Sequence, residues 1–350
     1  MRIMTVGLVG CGGIAQKHVQ AAAKSDRVRI AACVDVIEGK AQAFAQKHGI
    51  ERAYNSMAEM LTVDGVDLVL LATYPANHLA EIREAIQLGA KAILCEKALA
   101  MNGDEAETIR QLIAESGVFL MQGLMYRHHP QIQRAREIIE SDTLGPVGYV
   151  HAYFSAPKAG KPDPNDWRTR PELGGGTLAA KGCYLIDALC AFCGGTPTEV
   201  FCHATWHREG PFDVGQSGTI LFDNDVVGHF EANHRTAWRE EMTIAGPRGW
   251  LRIPHAVVTT NQPRTLELSL GGAFEMSAPK LETLNFDVMD SYQAQLENVH
   301  ACLFEGGTPG VPLDDSLRNL HVTGALLASA ASGRKETVRR GETTRLTYAV

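Results

Sequence analysis

Residues 4–15, Met4-Thr5-Val6-Gly7-Leu8-Val9-Gly10-Cys11-Gly12-Gly13-Ile14-Ala15, decide the fold. An apolar run of strand length ends at Val9, a G-x-G-x-x-A turn follows, and an alanine-rich helical stretch continues to about Lys24. Small residues at Gly10, Gly12 and Gly13 let the backbone approach a pyrophosphate, which then sits on the positive N-terminus of the helix. Glycine-rich turns also serve packing, so the context has to discriminate. Residues 29–34 read as a second strand, closed by Asp35 about 20 residues beyond the turn, where a carboxylate holds a ribose 2′-hydroxyl. The same carboxylate repels a 2′-phosphate, and Val36-Ile37 brings no arginine to neutralise one. The expectation is a site for NAD(H), with NADP(H) disfavoured.

Working outward, strand-like runs at residues 67–72, 92–95 and 118–122 alternate with helical patterns at 38–47, 56–61, 78–88 and 104–115. Nearly continuous apolar strands with helices between them mean a parallel, doubly wound sheet. Beyond residue 123 the pattern changes. A helix is expected at 130–140, a Pro/Gly-rich loop at 157–176 and a helix at 178–192. Six strand-like stretches follow from 198 to about 270, most separated by Gly, Pro, Asn or Asp, and helices at about 288–304 and 314–331 close the chain. The expected architecture is an α/β Rossmann N-terminal domain, residues 1–123. An α+β C-terminal domain with a large, mostly antiparallel open sheet follows at 124–350.

The 350 residues fit two domains, and 33 Lys plus Arg against 40 Asp plus Glu leave a net charge of -7. That balance gives no electrostatic reason to bind nucleic acid or an anionic membrane. The longest apolar runs are strand-sized, and the start lacks a basic leader and cleavage site, so a cytoplasmic protein is expected. Eight cysteines are too sparse for a disulfide scaffold. Cys190 and Cys193 form a CxxC inside a helical pattern with no second pair, and His128, His129, His203, His207, His229 and His234 form no compact ligand set. No metal is expected.

Glu96-Lys97 directly follows the strand at 92–95. Ligands of an open parallel sheet bind outside the carboxyl ends of its strands, so this pair is placed beside a nicotinamide. A lysine there, lowered in pKa by burial, can move a hydroxyl proton. The competing reading is a surface lysine.

Six motifs then stand in a recognisable order: GCGGIA at 10–15, Ala72-Thr73-Tyr74-Pro75-Ala76-Asn77-His78, Cys95-Glu96-Lys97, Met125-Tyr126-Arg127-His128-His129-Pro130, Trp167-Arg168, and Pro171-Glu172-Leu173-Gly174-Gly175-Gly176. In these the chain resembles the Gfo/Idh/MocA family of sugar and polyol oxidoreductases, and in wording its dihydrodiol and aldose dehydrogenase branch. The resemblance implies a cofactor set of Gly10, Cys11, Gly12, Gly13, Ile14, Asp35, Thr73, Pro75, Asn77, His78, Glu96 and Lys97, with Trp167 and Arg168 reaching the nicotinamide from the second domain. It implies Lys97 as the catalytic lysine and Tyr184 as an acid/base. Arg127, Lys181 and Asp187 are expected to bind a sugar or polyol substrate in the cleft between the domains. It also implies pairing of copies through the open face of the C-terminal sheet, as a homodimer or homotetramer.

Two departures stand out. Ala98 replaces the family's proline after the lysine, which bears on how Lys97 points if that bond is cis. Ala180 replaces the family's aspartate, with Lys181 beside it; Lys181 is read as a solvated helix lysine rather than a replacement proton carrier. The leading expectation is an NAD-dependent dehydrogenase acting on CH–OH groups. The alternatives are a redox-neutral hydrolase or lyase that recycles NAD, and a non-catalytic NAD-binding sensor.

Overall fold

The computed structural model describes residues 2–157, 163, 166–258, 262–271 and 280–339. The N-terminal part runs β1 (Met4–Val9), α1 (Gly13–Ala22), β2 (Val28–Val34), α2 (Lys40–His48), β3 (Arg52–Tyr54), α3 (Met57–Asp64), β4 (Leu68–Leu71), α4 (Pro75–Gln87), β5 (Ala92–Glu96), α5 (Gly103–Ser116) and β6 (Phe119–Gly123). The strands pair in parallel in the order β3-β2-β1-β4-β5-β6. All four residues of β4 and all five of β5 are buried, as a sheet covered on both faces requires. The strand order reverses between β1 and β4, and that reversal opens a crevice beyond their carboxyl ends. Local chemistry sets the helix starts. Ser56 accepts a hydrogen bond from the Glu59 N–H to cap α3, Asn102 does the same for Glu105 on α5, and Pro75 occupies the first turn of α4.

The remaining elements are α6 (Pro130–Glu140), β7 (Tyr149–Ser155), α7 (Cys183–Phe192), β8 (Pro197–Trp206), β9 (Asp213–Phe222), β10 (Val227–Asn233), β11 (Arg239–Gly246), β12 (Gly249–Pro254), β13 (Arg264–Leu270), β14 (Lys280–Phe286), α8 (Ser291–Phe304), α9 (Leu313–Ser332) and β15 (Glu336–Thr337). Nine strands form one sheet in the order β14-β13-β12-β11-β7-β10-β9-β8-β15. Eight strand contacts make up this sheet; β7 and β10 pair in parallel and the other seven are antiparallel. The large, mostly antiparallel sheet expected from the sequence is present, with β7 as an insertion between β10 and β11. Helix α7 packs on β7 and β10, covering one face with Leu185, Ile186 and Leu189. On the other face Phe201, Thr219, His229 and His151 lie in register across four strands, with Tyr149 two residues along β7.

The chain does not divide once, after residue 123. Its compact units are Met1–His128 with Asp290–Leu317, and His129–Met289 with Arg318–Gly341. The first unit regains α8, which packs on α1 and on a 3₁₀ turn, Met125–His128, and buries Tyr292, Leu296 and Val299. An amphipathic pattern shows that a helix buries one face, but not against what. All eight cysteines are free thiols. Among the described residues no helix is long and apolar enough to cross a membrane, and no group of three or more His, Cys, Asp or Glu is placed to hold a metal ion.

Candidate active site

Gly10 adopts φ +92°, and a Cβ on it would stand 2.9 Å from the Ala72 carbonyl oxygen and from Thr73 Cγ2. Only glycine suits that backbone and lets β1 and β4 approach. Cβ atoms on Gly12 or Gly13 would meet nothing within 4 Å, and no side chain caps the N-terminus of α1. The first N–H groups of α1 are therefore left to a ligand or solvent, which is the arrangement a pyrophosphate needs. Beside this turn, Asp35 Oδ2 accepts from the Cys11 N–H at 2.9 Å and pairs with Lys40 Nζ at 2.8 Å, while Oδ1 accepts from the Ile37 N–H at 3.0 Å. Burial alone raises the Asp35 pKa, but the hydrogen bonds from Lys40, Cys11 and Ile37 outweigh it and hold the carboxyl below its usual range. Asp35 is an anion at neutral pH.

The turn from β4 into α4 divides its residues in two. Thr73 is half-buried and Asn77 exposed, whereas Pro75 and His78 are buried in the first turns of α4. His78 was expected to line the cofactor cleft; it is fully enclosed instead, with Nδ1 2.8 Å from the Ala98 carbonyl oxygen. Thr73 Oγ1 donates to Glu81 Oε2 at 2.5 Å. Burial pushes Glu81 up to about 7, opposed by the Thr73 hydrogen bond and reinforced by Glu84. A carboxyl raised in the folded state binds its proton more tightly there than in the unfolded chain. Its stabilising contribution is thus complete below the unfolded carboxylate pKa and is lost as pH rises towards about 7. Denaturant midpoints measured from pH 5 to pH 8 should fall less steeply for Glu81→Gln than for the unmodified protein. Parallel curves would mean that Glu81 titrates normally.

Lys97 follows β5 and is half-buried, and the Lys97–Ala98 peptide bond is cis. Glu96, the last residue of β5, turns inward. Its Oε1 lies 2.7 Å from His18 Nε2 on α1, and its Oε2 accepts the Lys97 N–H at 3.2 Å. Gly123 leaves room for this pair, since a Cβ there would stand 3.3 Å from the Glu96 Cα and Oε1. His18, which the sequence reading passed over, is thus tied to the lysine segment. Arg127, expected to bind substrate, is buried in the 3₁₀ turn with Nη1 2.7 Å from Asp315 Oδ2, so its charge is committed to a carboxylate within the first unit. His128 and His129 are held neutral by burial, at about 3 and about 4, the neighbouring Arg127 and Arg264 adding to the effect.

In the second unit a π-helical turn, Leu178–Gly182, precedes α7 and carries Ala180 and Lys181. Extra turns of this kind often mark functional sites. The solvated helix lysine expected at Lys181 is not found. It is 6% exposed, and its ammonium donates to the Ala156 and Asn233 carbonyls at 2.7 and 2.9 Å and stands 3.1 Å from His234 Nδ1. Three partners match its three N–H groups, which makes it an anchor for the strand ends of β7 and β10. Tyr184 is 7% exposed, with its ring 6.5 Å from that of Phe154. Asp187 is fully buried and accepts from Asn319 Nδ2 at 2.7 Å, a bond that joins α7 to α9. Trp167 and Arg168 form a half-buried 3₁₀ turn, where Arg168 Nη1 holds Asp166 at 2.9 Å. The glycine run after it is needed for close approach: the Gly176 N–H bonds the Arg168 carbonyl at 2.8 Å, and a Cβ on Gly175 would meet that same oxygen at 2.9 Å.

A family model described as "Oxidoreductase family, NAD-binding Rossmann fold" matches residues 4–124, and one described as "GFO/IDH/MocA C-terminal domain" matches residues 132–252. The chain is similar to D-xylose 1-dehydrogenase (NADP(+)) 2 of Haloferax volcanii, 30% identical over 331 residues that cover 94% of this chain and 98% of that one. It is also similar to trans-1,2-dihydrobenzene-1,2-diol dehydrogenase of Danio rerio, 29% identical over 290 residues, 82% of either chain. Aldose-aldose oxidoreductase from Caulobacter crescentus has the same fold, with a TM-score of 0.85 at 24% identity over 96% of this chain and 100% of that one. With both halves matched and a dinucleotide cradle of the right shape, the chain belongs to the Gfo/Idh/MocA family of oxidoreductases.

Proposed function

We propose that the protein is an NAD-dependent dehydrogenase that oxidises a CH–OH group of a sugar, polyol or related cyclic alcohol. The observation that carries this reading is the half-buried Lys97 at the carboxyl end of β5, in the same unit as a glycine cradle open to a pyrophosphate and an anionic Asp35. The dinucleotide, when bound, accepts the hydride. The chain's own residues then have to orient the alcohol and take its proton. Gly10, Gly12 and Gly13 give the backbone access, Asp35 receives the ribose hydroxyl, and Thr73 and Asn77 line the cofactor. Lys97 takes the hydroxyl proton, with Tyr184 as the second acid/base group. Lys181 Nζ, Arg127 Nη1 and Asp187 Oδ1 each have partners within the protein, which favours a structural assignment for these residues over a substrate-binding one.

The relatives are named for D-xylose and for a trans-1,2-diol, so adjacent ring hydroxyls head the list of candidate substrates. The test is a panel of aldoses, polyols and cyclic diols with NAD and with NADP, following reduced cofactor and product together. Oxidised product formed one-to-one with NADH supports the reading. An isomerised or cleaved product without net NADH points to recycling of bound cofactor, and NADH binding with no turnover across the panel points to a sensor. The exposed Tyr149 and Phe201 on the open sheet face support pairing of copies into a homodimer or homotetramer. Light scattering that gives a monomer mass at micromolar concentration would count against that.

A further inference from the structure

The segment around Lys97 is tied on one side through the Glu96 carboxylate and on the other through the Ala98 carbonyl to two buried histidines that the proton transfer itself does not use. We propose that His18 and His78 are positioning residues that clamp Lys97, a role that rests on the reading of Lys97 as the proton carrier. On the N-terminal side, His18 is fully buried on α1 and reaches Glu96 Oε1 at 2.7 Å, while Glu96 Oε2 accepts the Lys97 N–H at 3.2 Å. Against a carboxylate acceptor His18 Nε2 carries the proton, and Nδ1 is left buried with no hydrogen-bond partner. The Tyr292 ring stands edge-on to the imidazole at 5.2 Å and fixes its plane. On the C-terminal side, His78 is fully buried on α4, with Nδ1 2.8 Å from the Ala98 oxygen. A carbonyl only accepts, so Nδ1 donates and Nε2 is the buried atom without a hydrogen-bond partner.

Each histidine thus leaves one ring nitrogen desolvated and unbonded, a cost that an aliphatic side chain in the same space would avoid. What each imidazole adds is a directed hydrogen bond. That of His18 ends on the Glu96 carboxylate, whose other oxygen holds the Lys97 N–H, and that of His78 ends on the Ala98 carbonyl, one peptide group beyond the Lys97–Ala98 bond. Tying the segment down on both sides of Lys97 limits how far its Cα, and with it the lysine side chain, can shift. The two histidines stand on the helices that start at the glycine turn and at the Thr73–Asn77 turn, so the elements framing the cofactor also register the lysine. Proton transfer is sensitive to such registration, since a displacement of about 1 Å can cost about 10²-fold in rate.

Reciprocal amide replacements test the clamp. Glutamine has the reach of a histidine Nε2 donor and asparagine that of an Nδ1 donor. His18→Gln and His78→Asn should keep kcat within about tenfold, whereas His18→Asn and His78→Gln should lower it about 30- to 100-fold. In all four variants KM and the NADH dissociation constant should change little. A readout without turnover accompanies this: trace acetylation of Lys97 in the cofactor-free protein, followed against pH by mass spectrometry. Its midpoint should move only in the variants whose amide cannot reach. A merely structural role would lower thermal stability in all four variants alike and leave the acetylation midpoint in place, and that result overturns the clamp. Lys97→Met, assayed alongside, separates the two ideas. If it stays active, the proton-carrier reading fails while the acetylation profile still judges the clamp.

Discussion

Lys97→Ala is expected to lower turnover about 10²–10⁴-fold, the usual worth of a positioned general acid or base, with NADH affinity little changed. The expectation follows from place and chemistry together. Lys97 lies where an open parallel sheet presents its ligands, and an amine placed there is within reach of the alcohol whose proton has to be moved. Lys97→Arg supplies the sharper contrast. It restores the positive charge, but a guanidinium does not release its proton in a protein, so the variant should be as slow as the alanine form. Recovery by arginine would mean that charge alone is needed. Tyr184→Phe should fall in the same range if the tyrosine shares the transfer. Steady-state kinetics on the best alcohol from the panel give the values, with cofactor binding followed by NADH fluorescence, and unchanged turnover in both Lys97→Ala and Tyr184→Phe would remove the assignment.

The second large effect concerns cofactor choice. Catalytic efficiency with NAD should exceed that with NADP at least tenfold, or about 1.4 kcal/mol. On the proposed placement, a 2′-hydroxyl would donate to the Asp35 carboxylate, while a 2′-phosphate would bring like charge against an anion that its own hydrogen bonds keep ionised. Lys40 already pairs with Asp35 at 2.8 Å and tempers the repulsion, which is why discrimination rather than exclusion is expected. On that placement Asp35→Ser would remove a charge-assisted bond to NAD, worth about 1.5–3 kcal/mol, and would also relieve NADP. The ratio of efficiencies should therefore swing towards NADP by about 10²-fold. Lys40→Ala should act in the opposite sense and widen the preference for NAD. Equal efficiencies in the unmodified protein would mean that Asp35 does not face the ribose.

The parts legible in the sequence are those written in local pattern. The glycine turn, the alternating apolar strands and Asp35 at the end of β2 stand where the motif spacing put them. What escaped depends on partners far away in the chain. Nothing within Tyr149–Ser155 says that β7 inserts beside β10 in parallel. Lys181 reads as a surface lysine until the carbonyls of Ala156 and Asn233 converge on it, and Arg127 as a ligand-binding arginine until Asp315 does. His18 was within reach of the sequence, however. It shares the apolar stripe of α1 with Ala15, Val19 and Ala22, and a histidine on a buried helix face must find a polar partner.

The return of α8 to the first unit bears on how the protein is made. A nascent chain displays all six parallel strands once β6 has left the ribosome, yet the surface of α1 and the Met125–His128 turn that α8 covers stays bare until residue 304 emerges. At the usual pace of synthesis that interval lasts roughly 10–30 s. During it the nine-stranded sheet is being laid down with exposed edges of its own, so chaperone engagement should concentrate on this window. For the same reason an expression fragment cut after residue 123 omits part of its own core, whereas one that joins residues 1–128 to 290–317 through a short linker carries the helix needed to close it.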